Sequence, residues 1–254
     1  MKILALETTG KYGSAAVTDE SGAVFSASST EEMNHLKGMI SLIDEAINAA
    51  GTDKSDLTHV AASAGPGSFT GIRIGVVTAR TMAQMLGLPC VSVSTLEAMA
   101  EGAMPGAAAS DARFIVPVIN ARRHQTYAAA YTADPDSRSL QTVLAEKQYM
   151  IEELLEELGR MMENGEGLIY FTGDGIDAYS DIIEETLQAG SYVFAPEASR
   201  YQDAEAVAAV ALRKAKAGET LGYDDLMPEY MRLAEAEQRL KAGTLSDRIR
   251  TAKV

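Results

Sequence analysis

One order of segments occurs twice in this chain of 254 residues, and that repetition constrains its fold more than any other feature. Residues 2–7, 13–19 and 23–29 read as three short strands broken by TTGK and ESG turns. A helix over 31–50, a strand over 57–64, a helix over 70–86, a strand over 90–93 and a helix opened by Ser94 or Thr95 follow. The order then restarts. Strands are expected at 113–119, 125–132 and 140–147, then helix 151–162, strand 167–172, helix 176–188, strand 191–194 and helix 203–217. At one common offset of 113 positions, Leu4-Ala5-Leu6 falls on Pro117-Val118-Ile119 and Ala15-Ala16-Val17 on Ala128-Ala129-Ala130. The identity is slight; the recurring order indicates a duplicated unit. A meander running into β-α-β crossovers gives a mixed sheet covered by helices, and two such units give a two-lobed α/β protein. The cleft between the lobes is then the default ligand site. The expected division is a lobe over 1–102, a linker over 103–112, a lobe over 113–232 and a tail over 233–254. The linker reading rests on AMPGAAASD, which has small residues, a Pro-Gly pair and no apolar period.

Charge and cysteine content narrow the function. Lys and Arg total 22 against 36 Asp and Glu, a net charge of -14, which opposes unaided tight binding to phosphate backbones. The single cysteine, Cys90, makes neither an intramolecular disulfide nor a thiolate zinc site. The apolar run near the N-terminus, Ile3 to Leu6, is too short for a signal-peptide core, and nothing approaches the roughly 20 apolar residues of a membrane helix. A cytoplasmic, non-membrane protein is expected.

The chemistry the chain could carry centres on GPGSFTG. A strand, this loop and a helix would place backbone N–H groups of Gly65, Gly67, Ser68 and Thr70 where an anion could sit. The spacing matches neither G-x-G-x-x-G nor a Walker loop. Glycines at a tight turn, with Gly71 and Gly75 four apart, equally allow close helix packing, and Ser68 reads as a helix N-cap. Glu7, in the first hairpin, is the carboxylate that could hold magnesium in a phosphate-transferring relative. The corresponding loop of the second lobe, Gly173-Asp174-Gly175, reads rather as a turn. Ser63, Ser68 and Cys90 lack a paired histidine. His35, His59 and His124 are far apart, and the position four after His35 is Met39, so no H-x-x-x-H metal pair exists. Asn120-Ala121-Arg122-Arg123 is open between two solvated arginines and a group holding a phosphate or a partner carboxylate. Residues 146–166 carry seven acidic and two basic residues, a solvated helix face; residues 239–254 carry five basic and one acidic, open to an electrostatic contact with tRNA or an acidic partner.

Five segments, ILALETTGKYGSAAV, HLKGMISLIDEAI, AGPGSFTGIRIGVVTAR, NARRHQTYAAAY and MPEYMR, together resemble the bacterial TsaB (YeaZ) family of tRNA threonylcarbamoyladenosine biosynthesis proteins. They run in order over residues 1–232. The resemblance implies the actin-like fold of sugar kinases and Hsp70, in agreement with the duplication. It also implies a non-catalytic relative of TsaD, the subunit that carries metal and nucleotide and transfers threonylcarbamoyl to an adenosine of tRNA. On that resemblance the chain holds and activates TsaD, with TsaE as the ATPase joined through the complex and tRNA contacted indirectly. No cofactor is expected on this chain; ATP and metal belong to the partners. His35 stands where the catalytic relative has its first metal histidine, and Met39 replaces the second. Asn120 departs from the family pattern, in which Asp often precedes Ala-Arg. The alternatives are a glycopeptidase of the older M22 label, which would need a metal pair, and a kinase-like enzyme of the same fold, which would need the second phosphate loop.

The expected partner surface is a pair of helices. On 70–86, Ile72, Val76, Ala79 and Ala83 form one apolar stripe, while Ile74, Val77, Met82 and Met85 extend around the cylinder, more than a one-sided position requires. Leu36, Met39, Ile40 and Ile43 on the preceding helix would complete a methionine-rich patch. The two helices would form a four-helix bundle with TsaD, or with a second copy in a homodimer when TsaD is absent.

Overall fold

The computed structural model describes residues 1–30, 35–134, 139–163 and 167–231. The expected helix start at 31–34, the end of the acidic stretch at 164–166 and the tail 233–254 lie outside the described residues, as do the side chains of His35 and Leu36.

Two five-stranded mixed sheets repeat one topology. The first, in the order β3-β2-β1-β4-β5, consists of β1 (Lys2–Glu7), β2 (Ser14–Asp19), β3 (Val24–Ser28), β4 (His59–Gly65) and β5 (Cys90–Ser94). The second, in the order β10-β9-β6-β7-β8, consists of β6 (Ala112–Arg122), β7 (Gln125–Ala133), β8 (Leu140–Met150), β9 (Leu168–Thr172) and β10 (Tyr192–Phe194). In each, three antiparallel strands form a meander and the first of them continues into two parallel strands. This is the duplicated unit expected from the segment order.

Helices cover each sheet face. α1 (His35–Ala49) and α2 (Phe69–Leu86) pack on the outer face of the first sheet, where Leu42, Ile43, Ile47, Ile72 and Val76 meet Leu4, Leu6, Val17 and Val60. α4 (Ile151–Glu163) and α5 (Gly175–Thr186) do the same for the second sheet through Leu154, Leu155, Leu158, Ile176 and Ile183. The inner faces are closed by exchange. α3 (Thr95–Ala109) leaves the first sheet and buries Leu96, Met99, Ala103 and Ala107 against Ile115, Ala129 and Tyr170 of the second. α6 (Ala204–Lys216) leaves the second and buries Val207, Val210 and Ala211 against Ile3, Ala5 and Val91 of the first. Arg213 ties the two helices together, reaching Glu101 at 2.9 Å and Glu97 at 3.2 Å. After α6 the chain returns along the first lobe as a strap over 220–231. It is held by the Cys90–Leu221 bridge, by Leu226 in the outer core and by Glu229 N–H donating to the Ala64 carbonyl at 2.7 Å.

Two boundaries differ from expectation. The stretch 103–112 is largely helix, since α3 runs through Pro105 to Ala109. Its small residues serve contact: a Cβ on Gly106 would overlap the Tyr170 hydroxyl, and one on Gly102 would lie 3.3 Å from the Ala206 methyl. Nor does the second lobe retain everything after 113, because α6 and the strap pack on the first sheet. A turn is expected over 120–123; β6 instead continues through a bulge to Arg122, and the hairpin turn falls at 123–124.

Helical glycines divide by their surroundings. Gly71 and Gly75 of α2 press on Thr8 of the first hairpin; a Cβ on Gly71 would overlap the Thr8 carbonyl oxygen, whereas Gly159 of α4 has open space. Gly71→Ala should therefore cost about 1–3 kcal/mol or more through forced backbone displacement, and Gly159→Ala should gain about 1 kcal/mol from helix propensity. Urea unfolding of the two variants checks the sign; a stabilised Gly71→Ala would refute the close approach.

Candidate functional site

Glu7 ends β1 with its side chain 1% exposed. Its Oε1 accepts from the Thr9 N–H and from the Thr9 hydroxyl at 2.7 Å, and its Oε2 accepts from the Ser63 hydroxyl at the end of β4. Burial pushes the carboxyl above its ordinary value, partly countered by the Ser63 and Thr9 hydrogen bonds. Both oxygens are thus engaged by donors of the protein itself, which suits Glu7 to holding strand ends together better than to ligating magnesium. Ser63, weighed above as a nucleophile, is one of those donors.

The glycine loop follows from the same hairpin. Ser68 N–H donates to the Thr9 carbonyl at 2.8 Å, and Ser68 caps α2 by accepting from Gly71 N–H at 3.3 Å. The Thr8 hydroxyl donates to the Gly71 carbonyl at 2.7 Å. Gly67 has a φ of 156° and abuts Thr9, where a Cβ would lie 2.7 Å from the carbonyl oxygen. Gly65, at φ 131°, abuts the Glu229 carbonyl of the strap. The first hairpin and the strap therefore occupy the space against these glycines. Thr70 is exposed on the first turn of α2.

The cleft between the lobes holds a cavity of about 690 Å³ lined by Tyr12, Ser14, Met99, Thr172, Tyr201 and Asp203 among others. Among the described residues its lining includes the carboxylates Glu197, Asp203 and Glu205 and no lysine or arginine, a chemistry that disfavours phosphate. Burial raises the Asp203 carboxyl. Gln202 closes the inner end against Gly10, with its Oε1 buried and unpartnered. At the mouth, Lys11 lies over the Tyr12 and Tyr201 rings at 5.5 and 5.4 Å.

The second lobe's hairpin turn is an unusual backbone feature. Arg122, Arg123 and His124 all have positive φ, at 63°, 55° and 60°. Asn120 braces it: its Oδ1 accepts from Arg122 N–H at 2.8 Å and from the Tyr179 hydroxyl at 3.1 Å, while its own N–H donates to Asp174 Oδ1 at 3.0 Å. Asp174, raised by burial, is held by that bond in the turn expected for Gly-Asp-Gly. His124 faces Glu152 at 3.3 Å.

The expected partner surface is brought together in part. Val77 is 59% and Met85 80% exposed on α2, and Ile40 is 61% exposed on α1. Ile74 and Met82 are half-buried, Met82 against the outer core. Met39 and Ile43 are a correction: at 1% and 2% exposed they belong to the outer core, because helical periodicity turns them toward the sheet while Ile40 points away. The sequence reading missed Phe69, Leu86, Met227 and Tyr230, which extend the apolar surface. Seven of the ten large hydrophobic side chains exposed among the described residues lie on α1, α2 and the strap.

Comparison with known proteins identifies the lineage. Over 242 residues the chain is 28% identical to the tRNA threonylcarbamoyladenosine biosynthesis protein TsaB of Bacillus subtilis, covering 94% of this chain and 97% of that protein. It is also 28% identical to TsaB of Escherichia coli over 245 residues, covering 94% and 98%. The solved structure of YeaZ from Pseudomonas aeruginosa superposes with a TM-score of 0.73 at 20% identity, covering 90% of this chain and 99% of that one, a likeness of fold. The family model of TsaD, tRNA N6-adenosine threonylcarbamoyltransferase, matches residues 28–240, and the chain belongs to that family.

Proposed function

We propose that the chain is a non-catalytic scaffold of tRNA N6-threonylcarbamoyladenosine synthesis, which binds and activates the transferase subunit TsaD in the cytoplasm. Similarity to TsaB over nearly the whole length supports the pathway. The observation that carries the scaffold role is the exposed apolar face of α2 and α1, centred on Val77, Met85 and Ile40. Apolar side chains concentrated on one pair of helices mark a protein-binding surface. Two helices on the outside of a sheet can meet the equivalent pair of a similarly folded relative, burying both. ATP and metal chemistry are assigned to TsaD and TsaE, and TsaE and tRNA are reached through the complex. A homodimer through the same face is the alternative state in TsaD's absence. The engagement of both Glu7 oxygens by internal donors supports the non-catalytic half of the proposal.

The docking role is tested by Val77→Glu. A carboxylate at 77 stands one turn from both Arg73 and Arg80, and an ion pair carried into an interface core must be desolvated where an apolar side chain packed before, so co-purification with the organism's own TsaD and tRNA modification should be lost while the exposed position leaves the monomer's melting temperature near wild type. A folded Val77→Glu that binds with unchanged affinity would refute the face.

The structural role of Glu7 has its own sign. Because its folded pKa is raised above the ordinary 4.5, the native state holds more protons than the unfolded state between those values, and the Glu7 contribution to stability falls as pH rises through that window. Glu7→Gln removes the charge and keeps one acceptor, which can take both Thr9 donors, while its amide NH2 stands in place of Oε2 and requires the Ser63 hydroxyl to turn and accept. It should be at least as stable as wild type at neutral pH, with a shallower fall in stability above about pH 4.5, and should support tRNA modification. Glu7→Ala strips the acceptor from three buried donors and should lose at least about 1–3 kcal/mol. Inactivity of a stable Glu7→Gln in the reconstituted complex would assign the carboxylate to chemistry.

A further inference from the structure

Arg73 and Arg80 stand seven residues apart on α2, two turns along one side with Val77 between them. The strap fastens both. Arg80 reaches the strap's Asp224 at 3.8 Å and donates to the Met227 sulfur at 3.4 Å. Arg73 donates from Nε to the Tyr230 hydroxyl at 2.7 Å, and its guanidinium lies 3.9 Å from the Phe69 ring centroid, with Phe69 stacked on Tyr230 at 4.7 Å. The two differ in one respect. Arg80 has a carboxylate from its own chain, whereas the terminal amino groups of Arg73 have no partner among the described residues. A guanidinium fixed through Nε and stacked on a ring keeps its terminal fork free and loses little further conformational freedom on receiving a carboxylate.

The surroundings give that fork its weight. Phe69, Val77, Met227 and Tyr230 are exposed around it at 40, 59, 56 and 37%. An ion pair in open water contributes little, but a partner that covers these side chains would exclude water from Arg73 and strengthen a two-pronged carboxylate contact at the centre of the interface. α2 carries Arg73 and Arg80 and no Asp or Glu. Helix α2 set against α2 of a second copy would bring arginines toward arginines, a like-charge juxtaposition that weakens self-pairing and favours a partner whose helix supplies the acid.

We propose that Arg73 is the polar anchor of the docking surface, donating from its terminal amino groups to a carboxylate on the apolar helical face of a TsaD-family partner, with Phe69 and the strap's Tyr230 as its positioning residues. The inference rests on the docking role assigned above to the α2 face.

The test is calorimetric titration of the full-length chain with the organism's own TsaD, at low and high salt, alongside sedimentation for self-association and thermal melting. Arg73→Ala should weaken binding by at least about tenfold with a flatter salt dependence. Arg73→Lys should restore only part of the loss, because it keeps charge without the fork. Tyr230→Phe, which removes only the oxygen that positions Arg73, should lose less than Arg73→Ala. Melting temperatures should remain near wild type because Arg73 is exposed. Binding by Arg73→Ala within about twofold of wild type, while Val77→Glu abolishes it, would overturn the anchor and leave the docking face standing. Unchanged binding by Val77→Glu would overturn the face itself. Full recovery by Arg73→Lys would refute the two-pronged contact.

Discussion

A buried carboxyl gathers the strand ends on which the first lobe is built. Glu7 accepts from Thr9 in the hairpin after β1 and from Ser63 at the end of β4, so two parallel strands that part at their C-terminal ends are tied there. The hairpin held this way presents the Thr8 and Thr9 backbone to α2, which can approach only because positions 67, 71 and 75 are glycine. Through this chain of contacts the orientation of α2, and with it the exposed Val77 and Met85, follows from a hydrogen-bonded cluster on the opposite side of the helix. Leaving any of these buried donors unmatched costs about 1–3 kcal/mol, a large share of a domain's net stability.

Exchange of helices makes the two lobes one structure. α3 is covered by the second sheet and α6 by the first, and Arg213 pairs with Glu97 and Glu101 between them. Glu146 of β8 adds a polar tie, accepting from Ser94 of the first lobe and Tyr131 of the second, each at 2.6 Å. With the inner faces filled by alanine-rich helices and the cleft lined by carboxylates, the unfilled apolar surface is left outside, on α1, α2 and the strap.

Much of this was legible because period and repetition are local properties. Strands β1, β9 and β10 and helices α2, α4 and α6 fall within a residue or two of the expected spans, and the two meanders repeat as read. The errors have physical causes. In AMPGAAASD, glycine and alanine signal a linker when isolated, yet here they let α3 lie close to Tyr170 and Ala206, contacts that exist only after both lobes form. Met39 and Ile43 share the apolar pattern of Ile40, and only the direction of the helix face decides which are covered. Phe69 lies more than 150 positions before Met227 and Tyr230, so no local pattern could show that the strap returns to α2. The glycine loop left open the choice between anion binding and close packing, and the position of Thr8 and Thr9 accounts for its glycines by packing.

Hydrogen–deuterium exchange with and without the organism's own TsaD measures the central claim, that this chain works through the outer face of α2 and not through its cleft. Binding should slow exchange in peptides covering 69–86 and 221–231 and leave those covering 172–203 unchanged. Protection of the cleft peptides, with α2 exchanging at its free rate, would contradict the account.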